Sequence, residues 1–202
     1  MPRPQPPSRG AKFIRDFLAA DEGATAVELG FLAPIFIGAS LMLVELGLYE
    51  LYSASLSYAT QKAARQILTG QFANSADTSI AGFVNNSVCA SLAPPMTCDR
   101  IVLNSQKLTS QSTPGGASAW WTLMNAAQTN IAAPATMDNT KTTFCIGASG
   151  DTIALEVYYA MPFWSIPLMG TPTTTFNGSP VIWIAWTAAF RNEPFTTTYT
   201  GC

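Results

Sequence analysis

The sequence predicts an α+β protein with one long N-terminal transmembrane helix and a small exported head that contains an antiparallel sheet. Three observations predict this: an uncharged apolar run near the N-terminus, segments rich in β-branched and aromatic residues near the C-terminus, and four cysteines that all follow the apolar run. The chain of 202 residues is long enough for one modest domain with attachments. We divide it into a tail (1–23), a stem helix (24–70) and a head (71–202).

The apolar run is long enough to cross a bilayer. From Leu29 to Val44 no residue carries a formal charge, and the wider segment Ala24–Leu48 covers a hydrocarbon core of about 30 Å at a helical rise of about 1.5 Å per residue. It is longer than a signal-peptide core and no A-x-A site follows it, so the span is expected to be retained. Four cations precede it and predict a cytoplasmic N-terminus: Arg3, Arg9, Lys12 and Arg15.

The stem helix is predicted to continue beyond the membrane to about Thr69. Lys62 and Arg65 lie in the last turns of this helix, where positive side chains interact favourably with the negative end of the helix dipole. Gly70 is predicted to end the helix, because glycine readily adopts the left-handed conformation found at helix C-termini. We expect the apolar stripe of this extension to pack on the head in preference to a neighbouring subunit. The stripe consists of Tyr49, Tyr52, Leu56, Ala59 and Ala63.

The head is predicted to form a sheet of three or more strands backed by the stem helix. Alternation and β-branched residues indicate strands over 100–108, 152–161 and 180–191, and short helices are predicted over 79–91 and 117–132. Prolines and Asn177-Gly178 predict an irregular connection before the last strand. The aromatic segment Tyr158–Trp164, with Phe190 and Phe195, is interpreted as core in preference to a contact surface.

Composition excludes several classes of function. Charged residues make up 11% of the chain, against roughly 25% in ordinary soluble domains, and the net charge of −2 argues against nucleic-acid binding. The absence of histidine excludes a Ser-His-Asp or Cys-His nucleophile and a His-ligated zinc site. We therefore expect no catalytic residue, metal or cofactor. The acids of the head form no pair at motif spacing: Asp77, Asp99, Asp138, Asp151, Glu156 and Glu193.

The cysteine pattern favours disulfides over a metal site. All four cysteines lie on the exported side and none belongs to a CxxC motif. A double proline between Cys89 and Cys98 turns the chain, so a local bridge between them is predicted. Elimination then pairs Cys145 with Cys202, although the other two connectivities remain open on sequence grounds.

Two glutamates stand at the ends of the apolar run. Glu28 directly precedes it, where an ionised carboxylate is costly. Two explanations of Glu28 are equally good from its position alone. Its carboxylate either reaches the water at the lipid headgroups or has a functional role. Glu45 lies about 25 Å further along the helix and is interpreted as a carboxylate at the far interface.

The junction Gly23-Ala-Thr-Ala-Val-Glu28 resembles the processing site of Flp/Tad-class prepilins, and the run from Glu22 to Pro34 resembles the start of TadE/TadG-like minor pseudopilins. The resemblance is specific at the helix and looser in the head, and Leu29 departs from the tyrosine of major Flp pilins. It implies that residues 1–23 are a cytoplasmic leader and that a prepilin peptidase cuts between Gly23 and Ala24. It also implies that Glu28 sets subunit register by meeting the new amine of Ala24 in a neighbour.

The same resemblance implies the partners and the location. The partners are the prepilin peptidase, other pilins and pseudopilins of a Tad apparatus, an inner-membrane assembly platform and the lipid bilayer. The chain would cross the inner membrane once, with its C-terminal domain in the periplasm, and an extracellular pilus is a further location. The alternatives are an uncleaved, signal-anchored scaffold or binding protein and, less favoured, a signal-anchored envelope enzyme.

Overall fold

The computed structural model describes residues 22–75, 77–108, 134, 136–162 and 174–196, with only the backbone for 22–26. It divides into two compact units, Met1–Leu46 and Gly47–Cys202. A single helix, α1 (Glu22–Leu68), begins in the first unit and ends in the second. The helix predicted over 117–132 lies outside the described residues.

α1 ends where the sequence predicted. Gly70 has φ +72° and its N–H donates to the carbonyl of Ile67 at 2.9 Å, which closes the last turn. A β-carbon at Gly70 would lie 2.6 Å from the ring of Phe195. Glycine is therefore required here both for the left-handed conformation and for the close approach of the C-terminal segment.

Short helical turns follow, and one disulfide closes them. Residues Ile80–Phe83 form α2, Val84–Val88 continue it as a π-turn, and Cys89–Ser91 end it as a 3₁₀ turn. Ser79 caps α2 by accepting a hydrogen bond from Gly82 N–H at 3.0 Å. Cys89 is bonded to Cys98, which confirms the predicted local bridge.

The sheet of the second unit has four antiparallel strands in the order β1-β2-β4-β3. The strands are β1 (Ile101–Leu108), β2 (Thr152–Pro162), β3 (Thr174–Phe176) and β4 (Ser179–Arg191). Three of them confirm the predicted strands. The fourth, β3, was expected to be part of an irregular connection. It pairs with β4 through a two-residue turn in which Asn177 and Gly178 both have positive φ.

The core of the second unit lies between α1 and one face of the sheet. The predicted stripe of α1 is buried there from Tyr52 onward, and the ring of Tyr52 packs edge-on against Tyr159 at 5.6 Å. The odd-numbered residues of β2 face this core because side chains alternate along a strand. The members of β2 in the core are Leu155, Val157, Tyr159 and Met161. The expectation that the stem helix backs the sheet is therefore confirmed.

Candidate assembly surface

The first unit presents apolar side chains on every side of α1. Every large apolar side chain from Val27 to Leu46 is exposed, with Phe31 at 74% and Phe36 at 75%. In an ordinary surface helix such residues would form one stripe facing a core. An apolar surface of this extent is stable only against lipid or against other apolar helices. The surface of α1 between Val27 and Leu46 is hereafter the apolar collar.

The part of α1 that carries the apolar collar is suited to a lipid bilayer. The segment Val27–Leu68 is long and apolar enough to cross a membrane. Pro34 lies inside the helix and removes one backbone donor, a change that transmembrane helices tolerate. Ser40 donates its hydroxyl to the carbonyl of Phe36 at 2.8 Å, so this polar side chain is satisfied within the helix.

The two glutamates of the collar differ in exposure. Glu28 is exposed at the N-terminal end of the described side chains. Glu45 is only half exposed, and its Oε1 is buried without a hydrogen-bond partner among the described residues. Gly23 and Ala24 are helical, and only their backbone is described. The three positions predicted to govern processing and register, Gly23, Ala24 and Glu28, thus lie on one continuous helix with Glu45.

From Gly47 onward α1 becomes one-sided. Leu56, Ala59 and Ala63 are fully buried, whereas Leu51 is 47% and Tyr58 61% exposed. This change coincides with the boundary between the two compact units. The helix therefore carries two different surfaces: an apolar collar that has no core of its own, and a stretch built into the head.

A family model described as "TadE-like protein" matches residues 23–65. This segment is TadE-like. The match begins at the predicted cleavage glycine and covers both the apolar collar and most of the one-sided stretch. It associates the chain with the Tad pilus system and suggests other components of the pilus as its partners. No curated protein and no solved structure matches the chain.

The cysteines and the head acids lie away from the TadE-like segment in sequence. Cys145 is disulfide-bonded, and its predicted partner Cys202 lies outside the described residues. No cluster of three or more His, Cys, Asp or Glu side chains suited to a metal occurs among the described residues. Two acids serve local turns. Hydrogen bonds from the hydroxyl and then the N–H of Ser79 lower the pKa of Asp77, and hydrogen bonds from the N–H and then the hydroxyl of Thr140 lower the pKa of Asp138.

One acid of the head is buried, which sequence reasoning missed. Glu156 on β2 is 1% exposed, and its Oε2 accepts hydrogen bonds from Asn104 Nδ2 at 2.8 Å and from the Tyr158 hydroxyl at 3.2 Å. Its Oε1 has no partner among the described residues. Burial raises the pKa of Glu156, against the two hydrogen bonds, which lower it. Burial and the adjacent Glu156 also raise the pKa of Tyr158, so its hydroxyl remains a donor.

The Glu156 cluster shows no second carboxylate. Its hydrogen-bond partners among the described residues, the amide of Asn104 and the phenol of Tyr158, are both neutral. No sequence signal distinguishes Glu156 from the exposed acids, because Asn104 is 52 residues away along the chain. Only the register that places Asn104 opposite Glu156 brings the two together.

Proposed function

We propose that this chain is a minor pseudopilin of a Tad-type pilus. A prepilin peptidase would cut it after Gly23, and the mature chain would act in pilus assembly and surface adherence by packing against other subunits. The observation that supports this most directly is the apolar collar, exposed on all sides and lying within a TadE-like segment. A helix with such a surface can move from the lipid bilayer into a stack of pilin helices, because both surroundings are apolar.

Glu28 has a defined role in this proposal. Cleavage would place a positive amine on Ala24, at the edge of the apolar collar. An unpaired charge is costly in a low-dielectric stack, and an amine from a neighbouring subunit offsets that cost for Glu28. A subunit out of register would leave the carboxylate unpaired, so the pair selects one register. No catalytic site is part of this function.

We expect Glu28→Gln to lower the amount of this chain found in assembled pili by about tenfold or more, because an amide forms no ion pair with the amine. The measurement is the quantity of the chain in sheared pili, relative to the amount in membranes, from a strain that lacks the native copy. Glu50→Gln is the matched control, since Glu50 is an exposed carboxylate on the same helix outside the collar. Normal incorporation of Glu28→Gln would contradict the register role.

A further inference from the structure

Two adjoining grooves lie along α1 within the second unit, each with a volume of about 520 Å³. The second of them, hereafter the apolar groove, lies between α1 and the turn at 90–93, and it shares Tyr58 and Lys62 with the first. The two grooves therefore form one surface with a charged part and an apolar part. The first, hereafter the cationic groove, is lined by one aromatic, two cationic and three amide side chains: Tyr58, Lys62, Arg65, Gln61, Gln66 and Gln71.

The two cations of the cationic groove have no acidic side chain of the head as a partner. Lys62 and Arg65 are exposed and stand three positions apart, so they are neighbours on the helix surface. No acid stands three or four positions from either of them, and the ion pair found among the described residues joins Lys107 and Asp151 instead. The residues after Gly47 that the structure does not describe contain no Asp or Glu. The positive charge of this groove is therefore available to a second molecule.

The apolar groove exists before any partner binds. Ser55 Oγ accepts a hydrogen bond from Ala93 N–H at 2.9 Å, which holds the turn at 90–93 beside α1. On the helix side of the groove, Leu51 is 47% and Tyr58 61% exposed. A groove that is already formed loses little conformational entropy when a partner occupies it.

The chemistry of this surface selects its partner. Apolar contacts beside a charged pair are typical of a protein interface, whereas an acidic polysaccharide would leave the apolar groove unfilled. Two cations three positions apart on a helix are matched by two carboxylates one helical turn apart, and a guanidinium binds a carboxylate through two hydrogen bonds. A second copy of this chain does not offer that pattern, because no two of its acidic residues stand three or four positions apart.

We propose that the two grooves together receive an amphipathic helix of a non-identical pilus subunit that carries two carboxylates one turn apart beside its apolar face. The carboxylates pair with Lys62 and Arg65, and the apolar side chains cover Leu51, Ala54 and Tyr58. Most of the helical part of this surface lies within the TadE-like segment. The inference rests on the proposed function for the class of protein that supplies the helix.

The test uses the full chain in its own membrane, with the photocrosslinker p-benzoylphenylalanine in place of Gln61, which is exposed in the cationic groove. We expect an adduct with a non-identical protein, mapped by mass spectrometry to a helix with two acids three or four positions apart. Its yield should fall by about tenfold or more in Lys62→Glu, because like charges then meet. Lys141→Glu is the matched control and should leave the yield unchanged, since Lys141 is an exposed lysine outside both grooves.

Charge exchange provides the second measurement. Replacing the two mapped acids of the partner by lysine should lower the yield with the wild-type chain, and combining that change with Lys62→Glu and Arg65→Glu should restore it. The thermal midpoint of Lys62→Glu should equal that of the wild type, because Lys62 is exposed, so a lost adduct reports lost binding. The proposal is overturned by an adduct between two copies, by an adduct with a segment that lacks the acidic pair, by no adduct, or by equal yields in the two lysine variants.

The N-terminus of the same samples is sequenced, so that failure of docking and failure of processing are recorded separately. A chain that keeps Met1 and still gives the expected adduct would support the docking surface and contradict the proposed cleavage. A chain that begins at Ala24 and gives no adduct would contradict the docking surface alone.

Discussion

Leu56→Ala is expected to lower the free energy of unfolding of the head by about 2–5 kcal/mol. Leu56 is fully buried in the core between α1 and the sheet. Truncation removes apolar contacts and leaves a cavity that the close-packed surroundings fill only in part. For a unit of this size the thermal midpoint should fall by roughly 5–15 °C. The measurement is thermal unfolding of the full chain in detergent, followed by near-UV circular dichroism.

Leu51→Ala is the matched control for this change. Leu51 lies five residues earlier on the same helix, is the same residue type and is 47% exposed. Its truncation should change the free energy of unfolding by no more than about 0.5 kcal/mol. Equal losses in the two variants would contradict the conclusion that this stretch of α1 is built into the core of the head.

Glu156→Gln is expected to reduce the dependence of head stability on pH. The pKa of Glu156 is raised in the folded chain, so the folded state keeps its proton at pH values where the unfolded state has lost it. The stability associated with this carboxyl is therefore greatest below its unfolded pKa, about 4.5. It falls as the pH rises toward the folded pKa. The slope is about 1.4 kcal/mol for each pH unit in that window.

The measurement compares the urea midpoints of wild type and Glu156→Gln from pH 4 to pH 7. Asp77, Asp138 and Asp151 have lowered pKa values and contribute stability in the opposite direction, above their unfolded pKa values. Their contribution is common to both proteins and cancels in the difference. The wild type should lose stability relative to Glu156→Gln as the pH rises above about 4.5. If the difference in stability between the two proteins stayed constant across this pH range, the conclusion that burial raises the pKa of Glu156 would be contradicted.

Local patterns were sufficient to predict most of the elements. The first part of the stem helix was predicted from its continuous apolar sequence. The second part was predicted from the apolar stripe that ends at Ala63, because its residues recur with the period of a helix, 3.6 residues. The strands over 101–108, 152–162 and 179–191 follow from β-branched and aromatic residues. The bridge between Cys89 and Cys98 follows from the double proline between two cysteines that are only nine positions apart.

What the sequence did not predict depends on long-range pairing. β3 has three residues, too few for a pattern, and exists only because Asn177-Gly178 folds it back onto β4. The burial of Glu156 depends on Asn104, which the register of β1 and β2 places opposite it.

The mature N-terminus is the most direct test of the proposed function. The chain is purified from cells with an active prepilin peptidase and from cells with an inactive one, and its intact mass is measured. The proposed function predicts a chain that begins at Ala24 in the first case and at Met1 in the second. Gly23→Leu should block the cut, whereas Gly30→Leu, where a β-carbon meets nothing within 4 Å, should not. A wild-type chain that keeps Met1 beside an active peptidase would contradict the pseudopilin and favour an uncleaved membrane tether.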